Sequence, residues 1–113
     1  MSNQPEAHTV TLLPGGWVGP ETCDVMERVV AAAGVQIKWN RFDEVDSITD
    51  AVLADARATG LVVKGRMGSE RTTGQLPPTV ALRKALATWA TVRRARTIPG
   101  VNARFAEMDT VVI

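Results

Sequence analysis

The sequence is poor in the residues that most often bind metals or form cross-links, with one cysteine and one histidine among 113 residues. A single cysteine excludes an internal disulfide and is typical of a reducing compartment, so we expect a cytoplasmic protein. Cys23 has acidic neighbours that disfavour a thiolate, and we interpret it as an inert packing residue. His8 has no second histidine nearby, so we do not expect it to be a metal ligand.

Long apolar runs and a signal peptide are also absent. No run approaches the roughly 18–20 apolar residues that a membrane-spanning helix needs, and the opening MSNQPEAH lacks the build of a secretory signal. We therefore expect no membrane attachment. The basic residues are not interleaved with aromatic ones, no recognition-helix or zinc-finger signature occurs, and the isoelectric point is about 8.0. We expect no nucleic-acid binding either.

What the sequence does have is the composition of an ordinary globular domain, 45% apolar and 22% charged, and its length fits one domain, 1–113. Its charge is divided unevenly along the chain. Up to Ala56 there are nine acidic residues against three basic ones, and from Arg57 onward ten basic residues against three acidic ones. This division favours an anion-binding surface in the second half, or head-to-tail pairing between subunits.

The hydrophobic pattern predicts alternating strands and helices. Strands are expected over 9–13, 35–42, 61–63, 90–98 and 109–113, and helices over 20–33, 46–60 and 78–89. The order β-α-β-α-β at the start predicts an α/β fold with a parallel sheet flanked by helices and joined by right-handed crossovers. Because the last strand is apolar and β-branched to its end, we expect its neighbour to come from another chain or from a longer protein.

Three basic residues in the stretch 64–96 are spaced so that they could face one hollow. Arg83 lies one turn into the helix that Pro77 and Pro78 are expected to start, Arg93 comes ten residues later, and Lys64 ends the strand before the loop. Arginine pairs with carboxylates through two hydrogen bonds, so the arrangement suits a small polycarboxylate. A solvated basic face is the alternative interpretation.

Three motifs in order resemble one enzyme family. HTVTLLPGGWVGPE (8–21) resembles the opening of the isocitrate, isopropylmalate and homoisocitrate dehydrogenases, which carry PGDGIGPE after a strand. The stretch 64–96 resembles their substrate loop and helix, and IPGVNARFAEMDTVVI (98–113) resembles the next segment of the same family. The resemblance covers nearly the whole chain and implies a parallel α/β sheet in a protein that is at least dimeric.

Carried over by position, the resemblance assigns Arg83, Arg93 and Lys64 to the binding of substrate carboxylates. Other positions depart from the family pattern near the expected cofactor pocket. The family's loop serine and asparagine fall on Pro77 and Thr79, its Thr-Pro pair on Ser69 and Glu70, and the Asp and Gly of its opening turn on Gly16 and Trp17.

The resemblance also implies NAD or NADP and a Mg²⁺ or Mn²⁺ ion for the family's oxidative decarboxylation. We find no match in this sequence for the family's third substrate arginine, its catalytic tyrosine and lysine, its metal-binding aspartates or its adenosine-binding loop. The acidic group Asp43, Glu44, Asp46 and Asp50 fits helix N-terminal charges better than metal ligands. We therefore expect no catalysis, metal or cofactor binding by the chain alone.

Three functions remain open at this point. The first is a truncated, catalytically silent relative that acts as a structural or regulatory component of a homo-oligomer or hetero-complex. The second is part of an active NAD-dependent decarboxylating dehydrogenase that another chain completes. The third is a small polycarboxylate- or anion-binding module that uses Lys64, Arg83 and Arg93.

Overall fold

The computed structural model describes residues 7–43, 47–68, 74, 76–105 and 107–113. Its strands are β1 (His8–Gly15), β2 (Ile37–Asp43), β3 (Val62–Lys64), β4 (Arg93–Arg96) and β5 (Asp109–Val112), and its helices are α1 (Gly19–Ala32), α2 (Asp50–Thr59) and α3 (Pro78–Ala85). Within these ranges no helix is long and apolar enough to span a bilayer.

The first three strands form a parallel sheet in the order β2-β1-β3, which confirms the predicted fold class. The chain moves from β1 to β2 on one side of β1 and then crosses to β3 on the other side. Because parallel crossovers are right-handed, this reversal places α1 and α2 on opposite faces of the sheet. The contacts agree, since Arg41 of β2 reaches α1 while its neighbour Asn40 reaches α2.

The main core lies between the sheet and the layer of α2 and α3. Leu13 of β1 packs against Val52 of α2 and Leu82 of α3, with Met67 completing the buried cluster. Side chains alternate along a strand, so Leu12, which is also fully buried, points to the face on which α1 packs. The near-continuous apolar run of β1 is thus explained by burial on both faces.

The ends of α2 are set by local chemistry. Thr49 is the N-cap, with the Val52 backbone N–H donating to Thr49 Oγ1 over 3.4 Å, and Gly60 ends the helix in the left-handed conformation with φ 67°. Gly60 was predicted as the end. The predicted start, near Asp46 and Ser47, is early: Ser47 lies before the helix, Asp46 lies outside the described residues, and Thr49 provides the cap.

Helix α3 ends earlier than the apolar spacing predicts. Its last residue is Ala85 rather than Trp89, because Ala87 takes a left-handed φ of 51° and turns the chain. Thr88 then closes the end, since both its backbone N–H and its hydroxyl donate to the Arg83 carbonyl oxygen. Trp89, predicted as an apolar position of this helix, is 94% exposed.

The last two strands do not join the parallel sheet. β4 and β5 pair only with each other among the described strands, as an antiparallel two-stranded ribbon, here called the β4–β5 ribbon. All eight of its residues are exposed. Arg94 and Asp109 form a two-pronged ion pair on one face, with Nε and Nη2 of the arginine 2.8 and 2.6 Å from the two carboxylate oxygens. The hydrophobic pattern predicted both strands but not this pairing.

Candidate functional site

The sheet order identifies one edge as the expected ligand site. In open α/β sheets, ligands bind outside the carboxyl ends of the strands, at the point where the strand order reverses. Here that point lies between β1 and β3, which pair through Leu12 with Val63 and Leu13 with Lys64. The two turns that leave these strands, 14–18 and 65–68, therefore form the candidate site.

Three glycines hold the two turns together. A Cβ atom added to Gly15 would lie 2.3 Å from the Arg66 carbonyl oxygen, and one added to Gly19 or Gly65 would lie 2.0 or 2.2 Å from the Pro14 carbonyl oxygen. These neighbours are backbone atoms, which cannot move aside. The Gly16 N–H also donates to the Arg66 carbonyl oxygen over 2.9 Å. The site thus rests on a close backbone contact that only glycine permits.

Trp17 lies at the tip of the first turn in an unusual conformation. Its φ is 60°, in the left-handed region that costs a non-glycine residue roughly 1–2 kcal/mol. Its side chain is 78% exposed, and the Arg66 guanidinium lies 4.9 Å from the ring centroid, within cation–π range. Trp17 matches a glycine of the family motif, and the backbone here keeps the conformation that glycine favours. The indole, paired with the Arg66 guanidinium, is therefore added to a turn in which the family pattern has a glycine and no side chain.

The other positions that depart from the family pattern lie near this edge of the sheet or outside the described residues. Gly16 is half-buried in the first turn, while Pro77 and Thr79 are half-buried at the start of α3, whose Leu82 packs on Leu13 of β1. Ser69 lies outside the described residues. These assignments stay predictions.

The three basic residues proposed for anion binding lie on three different elements. Lys64 ends β3, and its Nζ donates to the Gly65 carbonyl oxygen over 3.2 Å. Arg83 lies five residues after the first residue of α3, just over one turn into the helix as predicted, and because the helix is short this is also its last turn. Arg93 opens β4, outside the parallel sheet. All three are exposed. Their convergence on one ligand is untested and stays a prediction.

A partly buried polar cluster was missed by the sequence analysis. Thr11, fully buried in β1, donates from Oγ1 to Asp55 Oδ2 over 2.6 Å, and Asn40 Nδ2 donates to Asp55 Oδ1 over 2.7 Å. Thr59 Oγ1 lies 2.8 Å from the same Thr11 hydroxyl. The cluster links β1, β2 and α2 on the face of the sheet that also carries the main core. The one available signal was the threonine at position 11, between the apolar residues Val10 and Leu12 of β1.

A second polar network fixes the opposite face. Arg41 Nη1 lies 2.6 Å from Asp24 Oδ1 and 2.9 Å from Glu27 Oε1, while its Nε lies 2.8 Å from Asp43 Oδ1. These hydrogen bonds, that to Asp43 first and that to Asp24 next, raise the pKa of Arg41 above its ordinary value. Burial raises the pKa of the Cys23 thiol, against the lowering effect of nearby Arg41. The ion pairs of Arg41 and the raised pKa of the Cys23 thiol both agree with structural roles for these two residues.

The donor set that a catalytic metal requires is not present in the part of the chain that the structure describes. No three His, Cys, Asp or Glu side chains there are grouped to hold an ion. Asp43 is engaged by Arg41, and Asp50 lies in the first turn of α2, where its charge favours the helix dipole. Glu44 and Asp46 lie outside the described residues. The described side chains therefore do not fit the metal that the resemblance implies.

Comparisons with known proteins support the sequence resemblance. No family model matches the chain. It is 31% identical to an NAD isocitrate dehydrogenase catalytic subunit of Arabidopsis thaliana over 93% of this chain and 30% of that protein. It is 35% identical to an NAD isocitrate dehydrogenase regulatory subunit of Dictyostelium discoideum, with the same two coverages. The crystal structure of isocitrate dehydrogenase from Methylococcus capsulatus superposes with a TM-score of 0.82 at 30% identity, over 92% of this chain and 33% of that one. The chain thus spans about a third of the relatives it matches.

Proposed function

Because this chain belongs to the isocitrate/isopropylmalate dehydrogenase family as a partial segment, we propose that it acts as a structural or regulatory component of an oligomer. In this proposal it does not catalyse the family's reaction by itself. The single observation that carries the proposal is the amount of surface that the isolated chain leaves open.

The isolated chain exposes far more surface than a folded monomer of its size. Its solvent-accessible area is 9134 Å², for a mass of 12.1 kDa. Folded monomeric proteins of this mass expose about 6,000 Å². Its radius of gyration is 17.1 Å, against about 13 Å for a compact domain of this length. An oligomer, or the remainder of a longer chain, would cover part of this surface.

Much of the open surface is apolar. Trp89, Ile98, Val101 and Phe105 are each more than half exposed, and they succeed one another along the chain between α3 and β5. Extensive exposed apolar surface is a feature of protein interaction sites in soluble proteins. An oligomer, or the rest of a longer chain, would bury it.

The candidate site supports a role other than catalysis. Trp17 places an exposed indole at the turn where the family pattern has glycine, and the described side chains supply no metal site. The relatives include proteins named as regulatory subunits of NAD isocitrate dehydrogenase, one of them 35% identical. A non-catalytic subunit of an assembly is compatible with both observations.

The proposal is tested by the mass and activity of the purified chain. Light scattering after size exclusion at micromolar concentration is expected to give a defined particle heavier than one chain, with no NAD reduction on isocitrate or isopropylmalate in the presence of Mg²⁺ or Mn²⁺. A well-folded monomer contradicts the oligomer proposal. Activity that appears only on mixing with a second polypeptide would replace it with the completed-enzyme alternative, which the 31% identity to a catalytic subunit favours.

A small polycarboxylate-binding module is a second candidate. Arg83 and Arg93 are exposed, and in the described part of the chain no carboxylate lies within ion-pair distance of either guanidinium. Calorimetric titration with isocitrate, isopropylmalate and citrate is expected to release heat that Arg83→Gln and Arg93→Gln reduce, whereas Arg28→Gln on α1 leaves it unchanged. No heat at millimolar ligand removes this candidate.

A further inference from the structure

Trp17 and Arg66 form a pair at the candidate site that the family pattern does not contain. Trp17 matches a glycine of that pattern, and over 64–66 the family motif reads Lys-Gly-Pro, so Arg66 matches a proline. The two departures lie on different turns and contact each other, with the guanidinium carbon 4.9 Å from the indole centroid. Such a pair points to a role that the family pattern does not assign.

The backbone fixes the place of this pair. The Gly16 N–H donates to the Arg66 carbonyl oxygen over 2.9 Å, and the Gly65 N–H donates to the Leu13 carbonyl oxygen over 2.8 Å. Trp17 follows Gly16 directly and keeps a left-handed φ of 60°. Residues in such conformations persist where the surrounding structure holds them, and they cluster at ligand sites. The pair is therefore held at the switch point between β1 and β3, where open α/β sheets bind ligands.

The backbone of the first turn is poorly suited to bind an anion by itself. The Gly16 N–H is used by Arg66, the Gly19 N–H donates to the Gly16 carbonyl oxygen over 3.0 Å, and Pro20 has no N–H. Glu21 places a negative charge in the first turn of α1, where it interacts favourably with the helix dipole. An anion at this edge is therefore better bound by a side-chain donor.

The Arg66 guanidinium can supply that donor. Its side chain is exposed, and in the described part of the chain no carboxylate lies within ion-pair distance of it. Stacking on Trp17 uses the flat face of the guanidinium and leaves the N–H groups along its edge available to donate. Because a stacked arginine has already lost part of its rotational freedom, less is lost when it binds a ligand.

We propose that Arg66, held in place by Trp17, binds an oxyanion at the switch point between β1 and β3. The guanidinium presents two parallel N–H groups, which match two oxygens of a carboxylate or a phosphate. Arg66 makes the contact with the ligand, and Trp17 is a positioning residue. Lys64, exposed at the end of β3 on the same edge of the sheet, adds a second positive charge there.

Anion binding at Arg66 goes beyond the proposed function and does not depend on it. The contacts that hold the pair lie within residues 13–66 of one chain. None of them requires a partner chain or a further segment.

NMR of the purified chain tests the contact directly. The chain has three tryptophans, at positions 17, 39 and 89, and each contributes one indole N–H signal. The probes are citrate and inorganic phosphate, titrated separately to millimolar concentration at constant ionic strength. We expect a saturable shift of the Trp17 signal, while the signal of Trp89, which is 94% exposed, stays in place. A shift with citrate alone identifies a carboxylate ligand, a shift with phosphate alone a phosphate ligand, and a shift with both an oxyanion in general; each supports the proposal.

Arg66→Gln is the decisive variant. It removes the guanidinium and is expected to weaken anion binding at least tenfold, read from the Trp17 signal. Arg66→Lys keeps the positive charge without the two parallel N–H groups, so it is expected to retain only part of the affinity. The matched control is Arg28→Gln on α1, which removes an exposed arginine elsewhere and is expected to leave the affinity unchanged.

Variants of Trp17 test its positioning role. Trp17→Gly is expected to weaken binding about two- to fivefold, which is the effect of losing an exposed cation–π contact. Trp17→Phe keeps an aromatic face and is expected to bind more tightly than Trp17→Gly. Because these variants lack the indole, the Arg66 Nε–H signal is the readout, and circular dichroism verifies that each variant is folded.

The possible failures are distinguishable. The absence of a saturable Trp17 shift, or an equal shift in Arg66→Gln, overturns anion binding at Arg66. Tighter binding by Trp17→Gly than by the wild-type chain overturns the positioning role, because the indole would then obstruct the site. A folded wild-type monomer that binds the probes overturns the proposed oligomer and leaves anion binding at Arg66 standing.

Discussion

At the scale of single residues, the three-glycine contact of Gly15, Gly19 and Gly65 holds the candidate site together. A Cβ atom added to any of the three would lie 2.0–2.3 Å from a backbone carbonyl oxygen, closer than the two atoms can approach. Gly16, next to them, has nothing within 4 Å of its Cβ position. The same turn therefore contains a glycine that must be glycine and one that need not be.

Gly19→Ala is expected to destabilise the protein by about 3 kcal/mol or more, because its Cβ would overlap the Pro14 carbonyl oxygen and separate α1 from the turn. The matched change Gly16→Ala is expected to stay within about 0.5 kcal/mol of wild type. Urea unfolding followed by circular dichroism measures both. Equal effects would show that the close contact is not present in solution.

The buried Thr11 hydroxyl is the second residue-scale feature with a measurable consequence. Thr11→Val keeps the shape of the side chain but removes the donor to Asp55, which is then left with Asn40 alone. We expect a loss of about 1–3 kcal/mol in the free energy of unfolding. The control is Thr22→Val on α1, where the hydroxyl is exposed and the loss is expected to be at most about 0.5 kcal/mol. A neutral Thr11→Val would contradict the network.

Residue assignments show where sequence reasoning ends. Trp17 could be identified as a departure because a motif resemblance aligned it with glycine, and its left-handed φ agrees. Thr11 could not be identified, because threonine within a β-branched run is typical of any strand. Its partner Asp55 lies 44 residues away, and only the packed fold brings the two together.

At the scale of elements, the fold class was predictable and two element ends were not. The alternation of strands and helices and the glycine at position 60 predicted the parallel sheet and the end of α2. The end of α3 was missed because Ala87 is a strong helix former that nevertheless turns left-handed here. The pairing of β4 with β5 joins two segments that are separated in the sequence, so a local sequence pattern could not predict it.

Ala87→Gly is expected to stabilise the protein by about 0.5–1 kcal/mol, because glycine adopts the left-handed conformation without steric cost and closes α3. The opposite result is expected for Ala54→Gly at an exposed position within α2, which should cost about 1 kcal/mol. Thermal unfolding of the two variants compares them directly. If Ala87→Gly also destabilises, α3 continues through position 87 in solution.

The Arg94–Asp109 ion pair makes the ribbon sensitive to acid. The hydrogen bonds from Arg94 lower the pKa of Asp109 below its ordinary value of 3.8. A lowered carboxyl pKa means that the pair stabilises the folded ribbon above that pH and that this contribution is lost as the pH falls through the folded-state pKa. NMR titration of the Asp109 carboxyl is expected to show the low pKa, and Arg94→Gln is expected to restore the ordinary one. An unchanged pKa in Arg94→Gln would show that the pair does not persist.

At the scale of the whole molecule, the chain has a well-packed core and many exposed apolar side chains. Leu12, Leu13 and Val52 are almost fully buried, which is the packing of a stable domain. The second half, in contrast, exposes most of its apolar side chains and all of the β4–β5 ribbon. A chain built in this way gains most from association, since about 25 cal/mol is recovered for each Å² of apolar surface removed from water.

Sequence reasoning reached part of this picture. The charge division between the two halves of the chain and the apolar strand at 109–113 suggested association with another chain. It could not identify the surface, because exposure depends on which elements pack together. The assignment of one domain over 1–113, the cytoplasmic location and the anion-binding roles of Lys64, Arg83 and Arg93 stay predictions.

The measurement that tests the central claim most directly is the mass of the purified chain in solution at micromolar concentration, by light scattering after size exclusion. Association through the open surface predicts a folded particle heavier than the 12.1 kDa of one chain, which dissociates on dilution without loss of helix signal. A folded particle of 12.1 kDa that stays monodisperse as the concentration is raised would contradict the claim.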